Sequence, residues 1–87
     1  MSTSPARRVP TYKDVSVQQL QSLVETARRG SQVAAARKLG LTQATVWEQL
    51  HALQRNLDAK LIEGHGRGSR LTDDGQLLVR LCGPILT

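Results

Sequence analysis

The chain has 87 residues, which is enough for one domain with one modest hydrophobic core, and a second domain does not fit within it. Hydrophobic residues make up 39% of the sequence, which argues against a disordered chain. With no Phe, one Tyr and one Trp, the core must be built from Leu, Val, Ile and Ala, which favours small packed helices over a sandwich or a barrel.

The sequence is basic, because twelve Lys and Arg residues against seven Asp and Glu residues give a net charge of +5 and a pI near 10.4. A small domain of this charge is typical of proteins with a polyanionic partner, although basic charge can also serve solubility alone. The single Cys82 cannot form an internal disulfide, which fits a reducing cytosol. No apolar run approaches the roughly 18 residues that span a bilayer, and the N-terminus lacks an apolar signal core, so we expect a cytoplasmic protein without membrane contact.

Residues 1–14 are polar, contain Pro5 and Pro10, and predict a flexible basic arm before a domain of residues 15–82. Such an arm can reach DNA phosphates or a minor groove, or it can be a solvated tail without function. Ser16 is expected to cap the first helix, which ends at Gly30. The apolar face of this helix recurs at helical spacing through Val17, Leu20, Leu23, Val24 and Ala27.

The next stretch predicts two helices separated by a tight turn. Ser31 begins the first of them, and its alanines, residues 34–36, allow close helix packing. Gly40 suits a left-handed turn, and Thr42 can cap a second helix over residues 43–57. The apolar stripe of that helix is Val46, Leu50, Leu53 and Leu57. This is the helix-turn-helix pattern, which places the start of its second helix in the DNA major groove; two packed helices without nucleic acid fit it equally well.

Past Leu57 the pattern changes to a hairpin and a last helix. Residues 60–63 and 69–71 read as short strands around a loop with three glycines in residues 64–68, and together they predict a wing. Thr72 should cap the last helix, in which Asp73 and Asp74 offset the helix dipole. Pro84 lacks an N–H group, so residues 83–84 should kink or end this helix, and we interpret residues 83–87 as the end of a truncated linker helix.

Residues that together match a known family pattern are spread over about two-thirds of the chain. They are residues 20–27, 30–31 and 34–36, Leu39, residues 42–43, Val46, residues 49–50, Leu53, Leu57, Leu61, residues 66–68 and 71–72, and Gly75. At these spacings the chain resembles the N-terminal winged helix-turn-helix of LysR-type transcriptional regulators. The DNA-binding domain of ModE-type molybdate regulators is also similar, with a Trp in its recognition helix like Trp47.

The resemblance implies a mainly α fold with a small β-hairpin, a winged helix-turn-helix. It implies sequence-specific binding of double-stranded DNA, with recognition helix 43–57 in the major groove and wing 64–70 on the backbone or the minor groove. It also implies a homodimer in the full-length protein and an effector-binding domain outside this chain. Departures from the family pattern are Ala44 for Pro, Trp47 for a small hydroxyl residue, Glu48 for a basic one, Asp58 for Gly and Ile62 for Phe, so the usual operator cannot be carried over.

The residues expected to contact DNA are Gln43, Ala44, Thr45, Trp47 and Glu48 on the recognition helix, Ser31 and Thr42 at helix starts, and Arg67 and Arg70 on the wing. Gln43 can pair with adenine N6 and N7, and Thr45 can bond a base edge or touch a thymine methyl. Arg67 and Arg70 would place positive charge against the sugar-phosphate backbone or in a minor groove.

Two residues of the recognition helix have alternative interpretations. Trp47 could pack on a sugar or a thymine methyl, or it could be a rim residue of the core. Glu48 could accept from cytosine N4, or it could be a surface charge paired with Arg55 or Lys38. An exposed aromatic residue is also typical of protein contacts, so a winged-helix protein-interaction module without DNA binding is the alternative function.

The sequence does not favour catalysis or metal binding. We find no Ser/His/Asp or Cys/His pairing at useful spacing, and no paired carboxylates in a plausible cleft. His51 and His65 lack metal-ligand spacing with Cys82 or with carboxylates. We therefore expect no enzyme, no cofactor and no metal.

Overall fold

The computed structural model describes residues 14–64 and 68–86. Residues 1–13 of the predicted basic arm, residues 65–67 of the predicted wing and residue 87 lie outside the described residues. The elements are helices α1 (Val17–Arg29), α2 (Gln32–Leu39) and α3 (Gln43–Leu57), strands β1 (Ile62–Glu63) and β2 (Arg70–Leu71), and helix α4 (Asp73–Leu86). This order confirms the predicted mainly α fold with one small hairpin.

The first three helices begin and end where local chemistry predicts. Ser16 forms a capping box, in which its hydroxyl accepts from the Gln19 N–H at 3.1 Å and the Gln19 side chain accepts from the Ser16 N–H at 3.1 Å. The hydroxyl groups of Ser31 and Thr42 each accept a backbone N–H of the following helix at 3.1 Å. Glycines 30 and 40 end α1 and α2 with φ of 77° and 72°, the left-handed region that glycine tolerates.

The core lies where α1, α2 and α3 meet. Leu23, Ala35, Val46, Leu50 and Leu53 are each at most 1% exposed. The small side chain of Ala35 allows the helices of the motif to approach closely. The apolar stripe of α3 is thus confirmed, with its last member, Leu57, only partly buried.

Polar side chains also lie in the buried face of α1, which the apolar spacing alone does not indicate. Ser22 and Thr26 are 0% and 1% exposed, whereas Val17, predicted on the apolar face, is 58% exposed at the first helical position. The Ser22 hydroxyl donates to Oε1 of Gln49 on α3. This bond satisfies a buried hydroxyl and joins α1 to α3.

The hairpin is shorter than predicted, with two residues in each strand. The strands are antiparallel, with Ile62 opposite Leu71 and Glu63 opposite Arg70. Lys60 does not extend β1, because its carbonyl oxygen instead accepts the Thr72 hydroxyl at 2.6 Å. The adjoining backbone therefore bonds to helix ends and not to a longer ladder.

Helix α4 starts as predicted but does not stop where residues 83–84 suggested. The Thr72 hydroxyl accepts the Gly75 N–H at 3.0 Å, which confirms the cap. Of the two outcomes predicted at Pro84, an end of the helix is wrong, since α4 continues to Leu86. A proline removes one backbone donor, yet its fixed φ is close to the helical value, so two further residues can follow it. Within residues 14–64 and 68–86, no helix has both the length and the apolar character needed to cross a bilayer.

Gly75 is required by a close approach between α4 and the backbone before β1. A Cβ at this position would lie 2.1 Å from the carbonyl oxygen of Leu61, a backbone atom that cannot rotate away. We expect Gly75→Ala to lower the free energy of unfolding by about 2 kcal/mol or more, because α4 or the hairpin must shift. Urea denaturation followed by circular dichroism would measure the loss.

Gly83→Ala is the matched control for this prediction. Gly83 is also a buried glycine of α4, but among residues 14–64 and 68–86 a Cβ built there meets no atom within 4 Å apart from its own helix backbone. Alanine should therefore raise stability by about 0.5–1 kcal/mol through its higher helix propensity. Equal effects of the two substitutions would contradict the assigned contact with Leu61.

Candidate nucleic-acid interface

The start of α3 presents an open surface to solvent. Gln43, Ala44, Trp47 and Glu48 are exposed, and Thr45 is half-buried. We call these five residues the recognition surface. The cap at Thr42 and the buried stripe that begins at Val46 fix the rotation of the helix, so these side chains must point away from the core.

The hydroxyl groups at the helix start are paired with each other. The Thr42 hydroxyl donates to Thr45 Oγ1 at 2.9 Å while it accepts the Thr45 N–H. Its donor and one acceptor site are therefore used within the protein. A hydroxyl group can donate one hydrogen bond and accept two, so the Thr45 hydroxyl keeps hydrogen-bonding capacity for a base edge.

The indole of Trp47 lies outside the core cluster and stacks on His51. The side chain is 48% exposed, and its ring centroid lies 3.9 Å from that of the imidazole, with the planes 28° apart. His51 Nδ1 is 2.9 Å from the carbonyl oxygen of Trp47. Since a carbonyl oxygen only accepts, Nδ1 carries the proton and donates this bond. Sequence reasoning missed His51 as part of the site, although its position four residues after Trp47 is the spacing at which helical side chains meet.

Glu48 is not neutralised by the partners that the sequence suggested. In the described ranges 14–64 and 68–86, the ion pairs within 4.0 Å join Glu25 to Arg28 at 3.5 Å and to Arg29 at 3.1 Å. The alternative in which Glu48 pairs with Arg55 or Lys38 is therefore wrong. Its carboxylate remains an exposed acceptor on the recognition surface.

Two glutamines hold the hairpin beside the recognition helix. Oε1 of Gln54 accepts the N–H groups of Leu61 and Ile62 at 2.8 and 3.1 Å. Gln32 at the start of α2 is 8% exposed, and its Nε2 donates to the Ser69 hydroxyl at 3.3 Å. Neither role could be predicted from periodicity, because each joins residues that only the fold brings together.

A groove of about 280 Å³ separates α3 from the hairpin. Its lining includes Gln32, Trp47, His51 and Lys60. The recognition surface and the hairpin thus border one concave strip. Within the part of the chain that the structure describes, no three His, Cys, Asp or Glu residues cluster as metal ligands.

The remaining predicted contact residues occupy different positions. Arg70 is exposed on β2, opposite Glu63. Ser31 is half-buried, and its hydroxyl serves as the cap of α2. Arg67 lies outside the described residues. The structure therefore groups the recognition surface on one helix and places Arg70 on the neighbouring hairpin.

Comparison with known proteins gives a consistent match. The family described as "Bacterial regulatory helix-turn-helix protein, lysR family" matches residues 17–76. The chain is similar to the HTH-type transcriptional regulator GltR of Bacillus subtilis (strain 168), with 39% identity over 72 residues, 83% of this chain and 24% of that protein. This chain therefore spans about a quarter of the length of that relative.

Solved structures share the fold. A complex of the CbnR DNA-binding domain with DNA superposes with a TM-score of 0.77 at 31% identity, covering 82% of each chain. Oxidised OxyR of Corynebacterium glutamicum gives a TM-score of 0.77 at 28% identity, covering 99% of this chain and 24% of that one.

The hydrogen bonds of the Gln54 side chain should contribute more to the free energy of unfolding than its packing does. In Gln54→Leu the N–H groups of Leu61 and Ile62 lose their acceptor, so we expect the free energy of unfolding to fall by about 2 kcal/mol. Gln54→Glu keeps an accepting oxygen at the same place and should stay close to wild type. Denaturant titration of both variants separates the two cases; equal losses would mean that packing, and not hydrogen bonding, explains the residue.

Proposed function

This chain belongs to the lysR family of bacterial regulatory helix-turn-helix proteins, and we propose that it is the sequence-specific, duplex-DNA-binding domain of a transcriptional regulator. The observation that carries the proposal is the open first turn of α3, whose recognition surface faces solvent beside a fixed hairpin. In the proposed complex α3 enters the major groove, and the hairpin lies on the backbone or the minor groove.

The side chains divide the work of binding between base edges and backbone. Gln43 offers an amide that can pair with adenine N6 and N7, and Thr45 offers a hydroxyl donor. Arg70, together with Arg67 of the predicted wing, would supply charge to phosphates. The net charge of +5 supports this assignment, because a basic surface draws a polyanion at long range.

The proposed regulator is not an enzyme and acts in the cytoplasm. Similarity to proteins named as transcriptional regulators supports a binding role, and chromosomal DNA in bacteria lies in that compartment. Any effector ligand would bind outside this chain.

We also infer that α4 pairs with α4 of a second copy of this chain, as the homodimer expected of the full-length protein would require. Leu77, Leu81 and Ile85 recur at every fourth position and are 48%, 62% and 80% exposed. Beside them lies a groove of about 190 Å³ whose lining includes Leu57 and Leu61. An apolar stripe next to an apolar groove fits a second helix of the same kind, and a dimer would present two recognition helices to adjacent half-sites.

Selection of bound sequences from a random duplex pool tests the DNA proposal. Wild type should enrich a defined site, and binding should weaken steeply with salt, since each neutralised phosphate adds about −0.9 to the log–log slope. Gln43→Ala should relax preference at one base pair by about 1–3 kcal/mol. Arg70→Ala should weaken all duplexes alike and reduce the slope by about 1.

Two outcomes would count against these assignments. A uniform loss of affinity from Gln43→Ala would contradict its role in base readout. Failure to bind any duplex at low salt would remove the DNA proposal and favour a protein-interaction module, whose partner would then be sought through Trp47 and Glu48.

Sedimentation over a range of concentrations tests the pairing of α4. Wild type should shift toward twice its mass as concentration rises, whereas Leu81→Gln should remain monomeric, because a polar amide replaces an apolar contact. Arg80→Gln, at the exposed neighbouring position, is the matched control and should behave as wild type. A wild-type chain that stays monomeric throughout, or equal behaviour of the two variants, would contradict the inferred interface.

A further inference from the structure

Gln43, Trp47 and His51 lie one behind another along α3, because residues four apart share a helix face. Gln43 opens the helix, Trp47 follows on the recognition surface, and His51 lies behind the indole as a stacked ring. Along this face, an amide side chain that can pair with a base is followed by an exposed indole and then by the imidazole that stacks on the indole.

The imidazole is itself held in place. Nδ1–H of His51 is bonded to the backbone of Trp47 at 2.9 Å, while the ring stacks at a centroid distance of 3.9 Å. An imidazole tied to the helix backbone limits the rotamers that the indole can adopt. The stack therefore favours one orientation of the exposed indole, which is 48% accessible, before any ligand arrives.

The chemistry of the exposed indole determines which group of the DNA it can contact. An indole is apolar apart from a single N–H donor, and the neighbouring Glu48 carboxylate opposes an approach to phosphate. Among the base-edge groups of the major groove, the apolar one is the 5-methyl group of thymine. Packing this methyl on the indole removes it from water without stranding a polar atom.

We propose that the stacked Trp47–His51 pair recognises a thymine 5-methyl group, with Trp47 in contact and His51 as its positioning residue. This inference rests on the proposed DNA-binding function and adds a specificity element to it. His51 acts through the indole and makes no base contact in this assignment.

Deoxyuridine substitution provides the test, because it removes only the methyl group. The probe is the duplex that wild type selects from the random pool, prepared with each thymine replaced in turn by deoxyuridine. For wild type we expect a loss of affinity of about fourfold at one position, the value of one methyl group taken out of water. Trp47→Ala should abolish that difference, and His51→Ala should reduce it to less than about twofold.

His51→Phe keeps a stacking ring and serves as the matched variant. It should retain most of the fourfold thymine preference. A loss of preference that came only from a structural effect of removing His51 would not be restored by phenylalanine. Circular dichroism should report the same fold for all three variants, since Trp47 is half-exposed.

The remaining outcomes overturn the inference. A thymine-to-uracil loss that is equal in wild type and Trp47→Ala, or absent at every position, would refute it while leaving DNA binding intact. In the case of equal losses, a Trp47→Ala variant that also binds both duplexes more weakly than wild type, by the same factor, would assign the indole to a sugar contact. A chain that selects no duplex at low salt would refute the proposed function itself, and this inference with it.

Discussion

The backbone of residues 60–62 is held from two sides, and the placement of everything after α3 depends on it. On one side, Gln54 of the recognition helix accepts the N–H groups of Leu61 and Ile62. On the other side, the Leu61 carbonyl oxygen accepts the Thr72 N–H at 2.9 Å and leaves room at Gly75 only for hydrogen. The hairpin, α4 and the recognition helix are therefore joined through one short extended segment.

Local chemistry made much of this fold predictable from the sequence. Caps at Ser16, Ser31 and Thr42 and left-handed glycines follow rules that act within a few residues. The stripe of α3 follows from periodicity, because one face must be buried. Strand length was overestimated, since the alternation of residues 60–63 does not reveal that Lys60 bonds to Thr72.

The candidate site was predicted in part, and the missing part has a physical reason. The exposure of Gln43 and Glu48 follows from the helix phase, which the buried stripe fixes. Gln54 and Gln32 were not predicted as anchors of the hairpin, because their partners lie on other elements. His51 was rejected as a metal ligand and was not predicted as a DNA contact, although its spacing from Trp47 already allowed a stacked pair.

The residue that closes α3 has a consequence for how much change the domain can tolerate. Asp58 adopts φ of 52°, a left-handed conformation that costs a residue with a Cβ about 1 kcal/mol. Domains have a total stability of only about 5–15 kcal/mol, so this strain is a noticeable fraction of the free energy of unfolding. Destabilising substitutions in the recognition helix are therefore tolerated over a smaller range of free energy than if a glycine stood at this turn.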